Sequence, residues 1–540
     1  MAFSVRAGCS VAGGFRDSGR PVPNGRRSAL FWNRLLRSGG QVDTRKDEPP
    51  RVAVIGGGIS GLAAAYRLRE LQPSWRVELF ESQGRLGGVI RTVHQDGYCI
   101  ELGPDSFVTQ VPWGLEFCRK LGFEEELIGT NEAHRQAYVV SRGRLHLLPP
   151  GLMLMAPSRI WPLVVTPLIS VRGKLRMCCE PFIPRRTDGQ DESLAEFARR
   201  RFGREVFERL MQPLASGIYM SDPERLSMQA AFPQFVQMER RYGSLIRAAR
   251  DRVRRMRQRR PDDTGPRYSL FVTARRGLST LVEAIRATLT DVAIRLRSPV
   301  EGLQRTEDGR WRLTVASGAE PALPEVFDGV VLAVPAAAAC RLLASADEPL
   351  ADLLGQIRSS GCVVVTFAFE RSWVRHPLNG FGFVVPLCEG RDVVACTFSS
   401  VKYEGRAPEG RVLLRAFLGG ACRAHVMELE DAELTATAYR ELDELLGLAG
   451  EPLLSRVERM PGAMPQYEVN HLKRVQAIEE RVAALPGLAI AGNAFRGVGI
   501  PYCIHTGERA AEQLVGKLQG IAAQPAAETP VPARSAQRRA

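Results

Sequence analysis

Apolar positions along the chain change period several times, and the changes outline its elements. Val52–Ile55 is a short apolar run, Gly61–Leu71 has apolar positions at helical spacing, and Val77–Phe80 is a second apolar run. A short run bounded by turn signals predicts a buried strand and a period near 3.6 a helix, so this segment reads strand, helix, strand. From 150 to 260 the pattern is mostly helical, with clear spacing over Leu194–Phe202 and Glu205–Leu210. Strand-like Arg267–Val272, helix-like Leu278–Leu289 and strand-like Ala293–Leu296 and Val330–Val334 follow. Val363–Phe369, Gly382–Pro386, Val393–Phe398 and Val412–Leu418 read as successive strands, Leu488–Ala491 as a last short strand and His505–Leu514 as a closing helix. The alternation predicts an α/β fold in which the chain leaves its first layer and re-enters it several times, with a second domain inserted.

Composition adds limits. The chain has 540 residues, ample for a large core and too many for one simple domain. The formal net charge of +14 is carried mainly by arginine and has four readings: attraction to nucleic acid, to an anionic membrane face or to an acidic small molecule, or arginine-rich coding alone. The basic residues are not interleaved with aromatics on a recognisable binding module, so no nucleic-acid partner is expected. Eleven scattered cysteines without C-x-x-C spacing argue against a disulfide framework and for a reducing compartment. No His/Cys/Asp cluster has metal-ligand spacing, so no metal site is expected. Nor is there a run of eighteen apolar residues, so no transmembrane helix is expected. Gly151–Ser170 comes nearest and is broken by Pro157, Pro162 and Pro167. Residues 1–48, rich in Arg, Gly and Ser, read as a disordered basic extension or a transit peptide, and residues 518–540 as a disordered tail.

The chemistry begins directly after the first strand. Gly56, Gly57, Gly58, Ile59, Ser60 and Gly61 match G-x-G-x-x-G between a strand and a helix. Gly56 permits the tight turn, Gly58 lets a pyrophosphate approach the backbone, and Gly61 lets helix and strand pack closely. The helix N-terminus offers free N–H groups and a positive dipole end to phosphate. Glu81, at the end of the second strand, is placed to accept from a ribose 2′-OH. The next stretch, Glu81 and Ser82 through Arg85 to Gly87, Gly88 and Val89, resembles the second signature of the amine-oxidase-like flavoproteins, which points to FAD rather than NAD. Arg85 is expected to face the diphosphate as a fork of donors.

From 52 to 517 the sequence further resembles the flavin-dependent protoporphyrinogen oxidases. The pieces are Glu101–Phe107, Gly173–Arg176 with Glu180–Pro184, Gly243–Arg247, Gly380–Gly382, and Ala491–Asn493 through Gly497–Pro501. The resemblance implies that Gly103, Pro104, Asp105 and Ser106 line the flavin, with Asp105 also near the substrate. It implies that Val300 contacts the adenine end, and that Asn493, Val498, Gly499 and Ile500 touch the flavin from the C-terminal side. Gly217 matches a backbone position facing the reacting macrocycle, Phe381 a ring packed on the tetrapyrrole, and Val363 an apolar wall. One departure is Ala137, where much of the family has a basic residue for a substrate propionate; Arg135, Arg142 and Arg144 are the nearby substitutes.

The implied fold class is α/β: a discontinuous Rossmann-type FAD-binding domain (49–110, 266–345 and 481–517), an inserted mixed-sheet substrate domain, and a helical subdomain. The helical, membrane-facing and substrate part would occupy 111–265, and the second substrate part 346–480. The implied reaction is oxidation of protoporphyrinogen IX, or alternatively coproporphyrinogen III, by hydride transfer from a meso carbon to flavin N5 with dioxygen as acceptor. Rival readings are an amine oxidase, a carotenoid desaturase, or a flavoprotein that carries porphyrin without turnover. Expected partners are the porphyrinogen, dioxygen, a second copy in a homodimer, a ferrochelatase receiving the product, and a membrane face met by 151–170 and the basic run Arg250–Arg260. Such a chain would work in the cytoplasm, peripherally on the inner membrane face, or in mitochondria if the extension is a transit peptide.

Overall fold

A computed structural model describes residues 48–149, 152–153, 156–157, 161–258, 270–316 and 324–520. The basic extension before 48, the tail after 520 and the start of the strand expected at 267–272 lie outside the described residues.

The chain opens with β1 (Arg51–Ile55), α1 (Ile59–Leu71) and β2 (Arg76–Phe80). A hairpin, β3 (Tyr138–Ser141) and β4 (Arg144–Leu147), precedes a helical stretch comprising α2 (Val171–Cys178), α3 (Leu194–Phe202), α4 (Gln212–Tyr219), α5 (Pro233–Tyr242) and α6 (Leu245–Gln258). Then come β5 (Ala293–Arg295), β6 (Val300–Arg305) and β7 (Gly329–Leu332), followed by β8 (Ser359–Glu370), β9 (Gly382–Val384), β10 (Val393–Phe398) and β11 (Arg411–Gly419). The chain closes with α7 (Asp431–Leu446), β12 (Leu454–Pro465), α8 (His471–Ala484), β13 (Leu488–Ile490) and α9 (Ile500–Leu518).

The first layer is a parallel sheet in the order β5-β2-β1-β7-β13, so its strands come from three distant parts of the chain. β1 is central and buried on both sides, which explains its unbroken apolar run. Side-chain alternation sends Val52 and Val54 into the core shared with α1 and α9, and Ala53 and Ile55 into the core on the opposite face. A Cβ on Gly507 would stand 2.2 Å from the Ser60 carbonyl oxygen, so α9 crosses α1 at a distance that only glycine allows. α9 starts at Ile500, five residues earlier than the pattern predicts, because Pro501 fits the first turn of a helix.

The second layer is a mixed sheet in the order β12-β8-β11-β10-β9-β3-β4, antiparallel except where β9 runs parallel to β3. One face of β8 (Val363, Val365, Phe367) packs on Leu434, Ala438 and Leu442 of α7. The other face (Cys362, Val364) meets Met220, just past α4. The helical stretch has its own core around Phe197, Phe202 and Leu210. There the fully buried Arg201 pairs with the fully buried Glu180, which also accepts from Ser244 Oγ and from Leu245 N at 2.9 Å, tying α3 to the start of α6. Among the described residues no helix is long and apolar enough to cross a membrane. Neither a disulfide nor a metal-binding cluster occurs among them.

Candidate functional site

The glycine turn is built as its spacing requires. Gly56 has φ +107°, and a Cβ there would meet the Ala333 carbonyl oxygen at 2.4 Å. A Cβ on Gly61 would overlap the Gly56 oxygen at 1.9 Å. Gly58 differs from both: a Cβ built on it meets nothing within 4 Å, so the protein leaves open space in front of this backbone. The first turn of α1 has neither a side-chain cap nor an acidic residue, so its N–H groups and dipole face that space uncompensated. A diphosphate fits there: the cradle is one a side chain would fill, and it is lined by donors.

Around the turn the segments interlock. Gly57 N donates to Glu81 Oε2 at 2.7 Å and Gln83 N to Oε1 at 2.7 Å, while Ser82 Oγ approaches Oε1 at 3.2 Å. Oε2, with a single donor, retains a lone pair for a ribose hydroxyl. Gly87 N donates to Gly57 O at 2.8 Å, and a Cβ on Gly88 would stand 3.2 Å from Gly58 Cα. A Cβ on Gly103 would lie 1.9 Å from the Val89 carbonyl oxygen. These contacts connect Gly58 through Gly88 and Val89 to Gly103, which opens the stretch Gly103–Ser106, so the two sequence motifs meet in space.

Arg85 departs from the expectation. Its fork donates to the carbonyl oxygens of Leu86 (3.2 Å), Ile90 (3.2 Å) and Gly88 (2.6 Å), so it holds the 86–90 turn in shape instead of standing free. Burial and the neighbouring Arg91 lower its pKa, and it has no ion pair among the described residues. Val300 opens β6 with its side chain against the core, while Ser298 N donates to Glu81 O at 2.9 Å and keeps this segment beside Glu81.

The C-terminal motif forms a second uncapped helix start. Val498, Gly499 and Ile500 stand at the N-terminus of α9, whose first turn has no side-chain cap and no acid. The loop before it is clamped by Tyr467, whose hydroxyl donates to Asn493 O (2.6 Å) and accepts from Gly497 N (2.7 Å). The Tyr467 ring stacks on His471 at 4.0 Å, and His471 Nε2 donates to Phe495 O at 2.9 Å. Burial holds His471 down at about 4, so it is neutral. No motif marks Tyr467 or His471 in the sequence.

Two further residues escape sequence reasoning. Lys402, just past β10, places Nζ 3.2 and 3.1 Å from the two oxygens of Asp105. Arg415 on β11 donates from Nη2 to Gly103 O, with Nη1 3.6 Å from Asp105 Oδ2. Burial opposes the charge of Asp105, but Lys402 and Arg415 outweigh it and hold the carboxyl at about 2.

The residues expected around the substrate do not all meet. Gly217 is exposed on α4, and a Cβ there would lie 3.4 Å from Val384 Cγ1. Phe381 is half-buried beside the strand end that carries Ala137: its N donates to Gln136 O at 2.7 Å. Val363 is fully buried among the side chains under α7, on the sheet face opposite Met220. It is therefore core and not the expected apolar wall. The strand alternation gives the Met220 side to Val364 instead.

Comparison with known proteins gives the family. Residues 59–515 match the family of flavin containing amine oxidoreductases. A coproporphyrinogen III oxidase of Staphylococcus aureus is 33% identical over 472 residues, covering 86% of this chain and 99% of that protein. The chloroplastic protoporphyrinogen oxidase of Nicotiana tabacum is 30% identical, with 87% and 86% covered. Among solved structures, a protein of Exiguobacterium sp. 255-15 provisionally assigned as a protoporphyrinogen oxidase superposes with a TM-score of 0.75 at 32% identity, over 86% of this chain and 98% of that one.

Proposed function

The chain belongs to the flavin containing amine oxidoreductases, and from that premise we propose that it is an FAD-dependent porphyrinogen oxidase acting in haem synthesis with dioxygen as the final acceptor. The carrying observation is the open space in front of the Gly58 backbone, beside which Gly88 and Val89 link the dinucleotide turn to Gly103. FAD supplies, when bound, the two-electron acceptor for a hydride leaving a meso carbon. The protein's residues position and exclude. The N–H groups opening α1 would hold the diphosphate, Glu81 the ribose, and the Tyr467-clamped loop with the start of α9 the ring. Gly217 and Val384, side by side, would offer an apolar face to a flat macrocycle.

Two porphyrinogens fit this reading. Higher identity to the coproporphyrinogen III oxidase, together with Ala137 in place of a basic residue, favours substrate recognition that differs from the protoporphyrinogen oxidases. Anaerobic mixing with each porphyrinogen tests the proposal. The flavin absorbance should bleach with at least one of them, and admitting air should yield red porphyrin emission and peroxide; flavin that stays oxidised with both would overturn it.

A membrane face is part of the same reading. Trp161, Val165, Val171, Leu175 and Phe182 are 74, 59, 71, 64 and 83% exposed, an unusual density of large apolar side chains on a surface. Val171 and Leu175 share one side of α2. Seated on a bilayer, these side chains would bring the helical stretch to the place where poorly soluble tetrapyrroles collect.

A further inference from the structure

We propose that Lys402 and Arg415 form a buried cationic pair that stabilises the negative charge gathered by the flavin ring as it is reduced. The inference rests on the flavin reading above and adds residues that no motif supplied. Two cations share one carboxylate here. Asp105 is engaged by Lys402 Nζ at 3.1 Å and by Ser106 Oγ at 2.7 Å, while Arg415 Nη1 at 3.6 Å is beyond hydrogen-bonding distance. Arg415 is only 1% exposed, and its Nε and Nη1 have no hydrogen-bond partner. Arg406 donates to Arg275 O and Ala274 O (both 2.8 Å) and Glu101 accepts from Leu278 N and Thr92 Oγ1, and because these two neighbours carry opposite charges they leave the balance of the group unchanged. The cluster therefore sets two cations over one acid, with two Arg415 donors lacking a hydrogen bond and aromatic rings (Phe417 under Arg415, Tyr403 under Lys402) as the other partners, an arrangement that costs a fold stability by itself.

Its position gives that cost a use. Arg415 holds the carbonyl of Gly103, and Lys402 holds the side chain of Asp105, both within the strip Gly103–Ser106 assigned to the flavin. A fixed cation in a largely buried site favours the reduced, more negative ring over the oxidised one, without reorganising when electrons arrive.

The test is the flavin midpoint potential of the full chain loaded with FAD, measured by equilibration with a reference dye. Lys402→Met should shift the reduction equilibrium at least tenfold toward the oxidised form, about 30 mV lower for a two-electron couple. Asp105→Asn should shift it in the opposite direction, and Lys402→Arg should keep the wild-type value. The double substitution Lys402→Met/Asp105→Asn restores one net charge and should return the potential to near wild type. A packing role would move the single variants together or leave both alone, and either result overturns the proposal. Failure of one variant to load flavin leaves the other to decide, and if both fail the double variant decides. An unmoved potential accompanied by a raised KM for the porphyrinogen would assign the cations to a substrate carboxylate and also overturn it. Wild-type protein that takes up no flavin would sink the functional reading instead, a separate outcome.

Discussion

Gly58→Ala separates cofactor binding from folding more cleanly than any other change at the glycine turn. A Cβ at this position meets nothing within 4 Å, and the backbone (φ −70°, ψ 175°) is one that alanine adopts freely. Gly58 caps α1, so the cost to the fold is the difference between glycine and alanine at a helix cap, roughly 0.5–1 kcal/mol. In a chain this long that moves the apo-protein melting temperature by less than about 3 °C. The same methyl stands where the diphosphate would approach. Displacing the phosphates from the first turn of α1 weakens one charge-assisted hydrogen bond or more, about 1.5–3 kcal/mol each, which raises the Kd for FAD roughly 10- to 100-fold. Gly61→Ala is the counterpart: its Cβ would sit 1.9 Å from Gly56 O, so it should destabilise the protein with or without flavin. Flavin titration of apo-protein by fluorescence quenching, beside thermal melts of the same samples, measures both effects. Wild-type FAD affinity in Gly58→Ala would refute the placement of the diphosphate, and a melting loss as large as that of Gly61→Ala would show that Gly58 is structural.

Three other outcomes are expected. Arg201→Met leaves the carboxylate of fully buried Glu180 unpaired and should destabilise the helical stretch by about 3–5 kcal/mol, read by denaturant unfolding. His471 is held at about 4, below the usual histidine value, so the unfolded chain binds its proton first; its stabilising share is complete above about pH 6.5 and is lost as pH falls toward 4, about 3 kcal/mol in all. Melts from pH 7 to 4 should therefore fall more steeply for wild type than for His471→Gln, and parallel curves would contradict the assignment. Leu175→Glu combined with Phe182→Glu should abolish co-sedimentation with anionic liposomes at low salt while turnover in detergent is kept; undiminished sedimentation removes the membrane face.

The legible part of this protein is the part whose physics is local. A strand, a tight turn and a helix start constrain consecutive residues, so Gly56–Gly61 and Glu81 announce the dinucleotide turn from spacing alone. The discontinuous parallel sheet was also readable, because strands buried on both faces must be apolar throughout and Val330–Leu332 and Leu488–Ile490 carry that mark. Val363 shows where the information stops. In the run Cys362, Val363, Val364, Val365 both faces are apolar, so the pattern cannot say which residue meets α7 and which meets Met220; only the packed sheet assigns them.

The clearest case of illegibility is the cationic pair. Lys402 and Arg415 lie about three hundred residues after Asp105, on elements whose apolar spacing gives no reason to expect a buried charge. They meet Asp105 because antiparallel registry sets Thr397 opposite Arg415, which brings the end of β10 and the middle of β11 against the strip that follows the dinucleotide signatures. A charge placed by tertiary registry leaves no periodic trace. What identifies it is the imbalance of two cations over one acid in a largely buried place, the kind of imbalance that an anionic partner would complete.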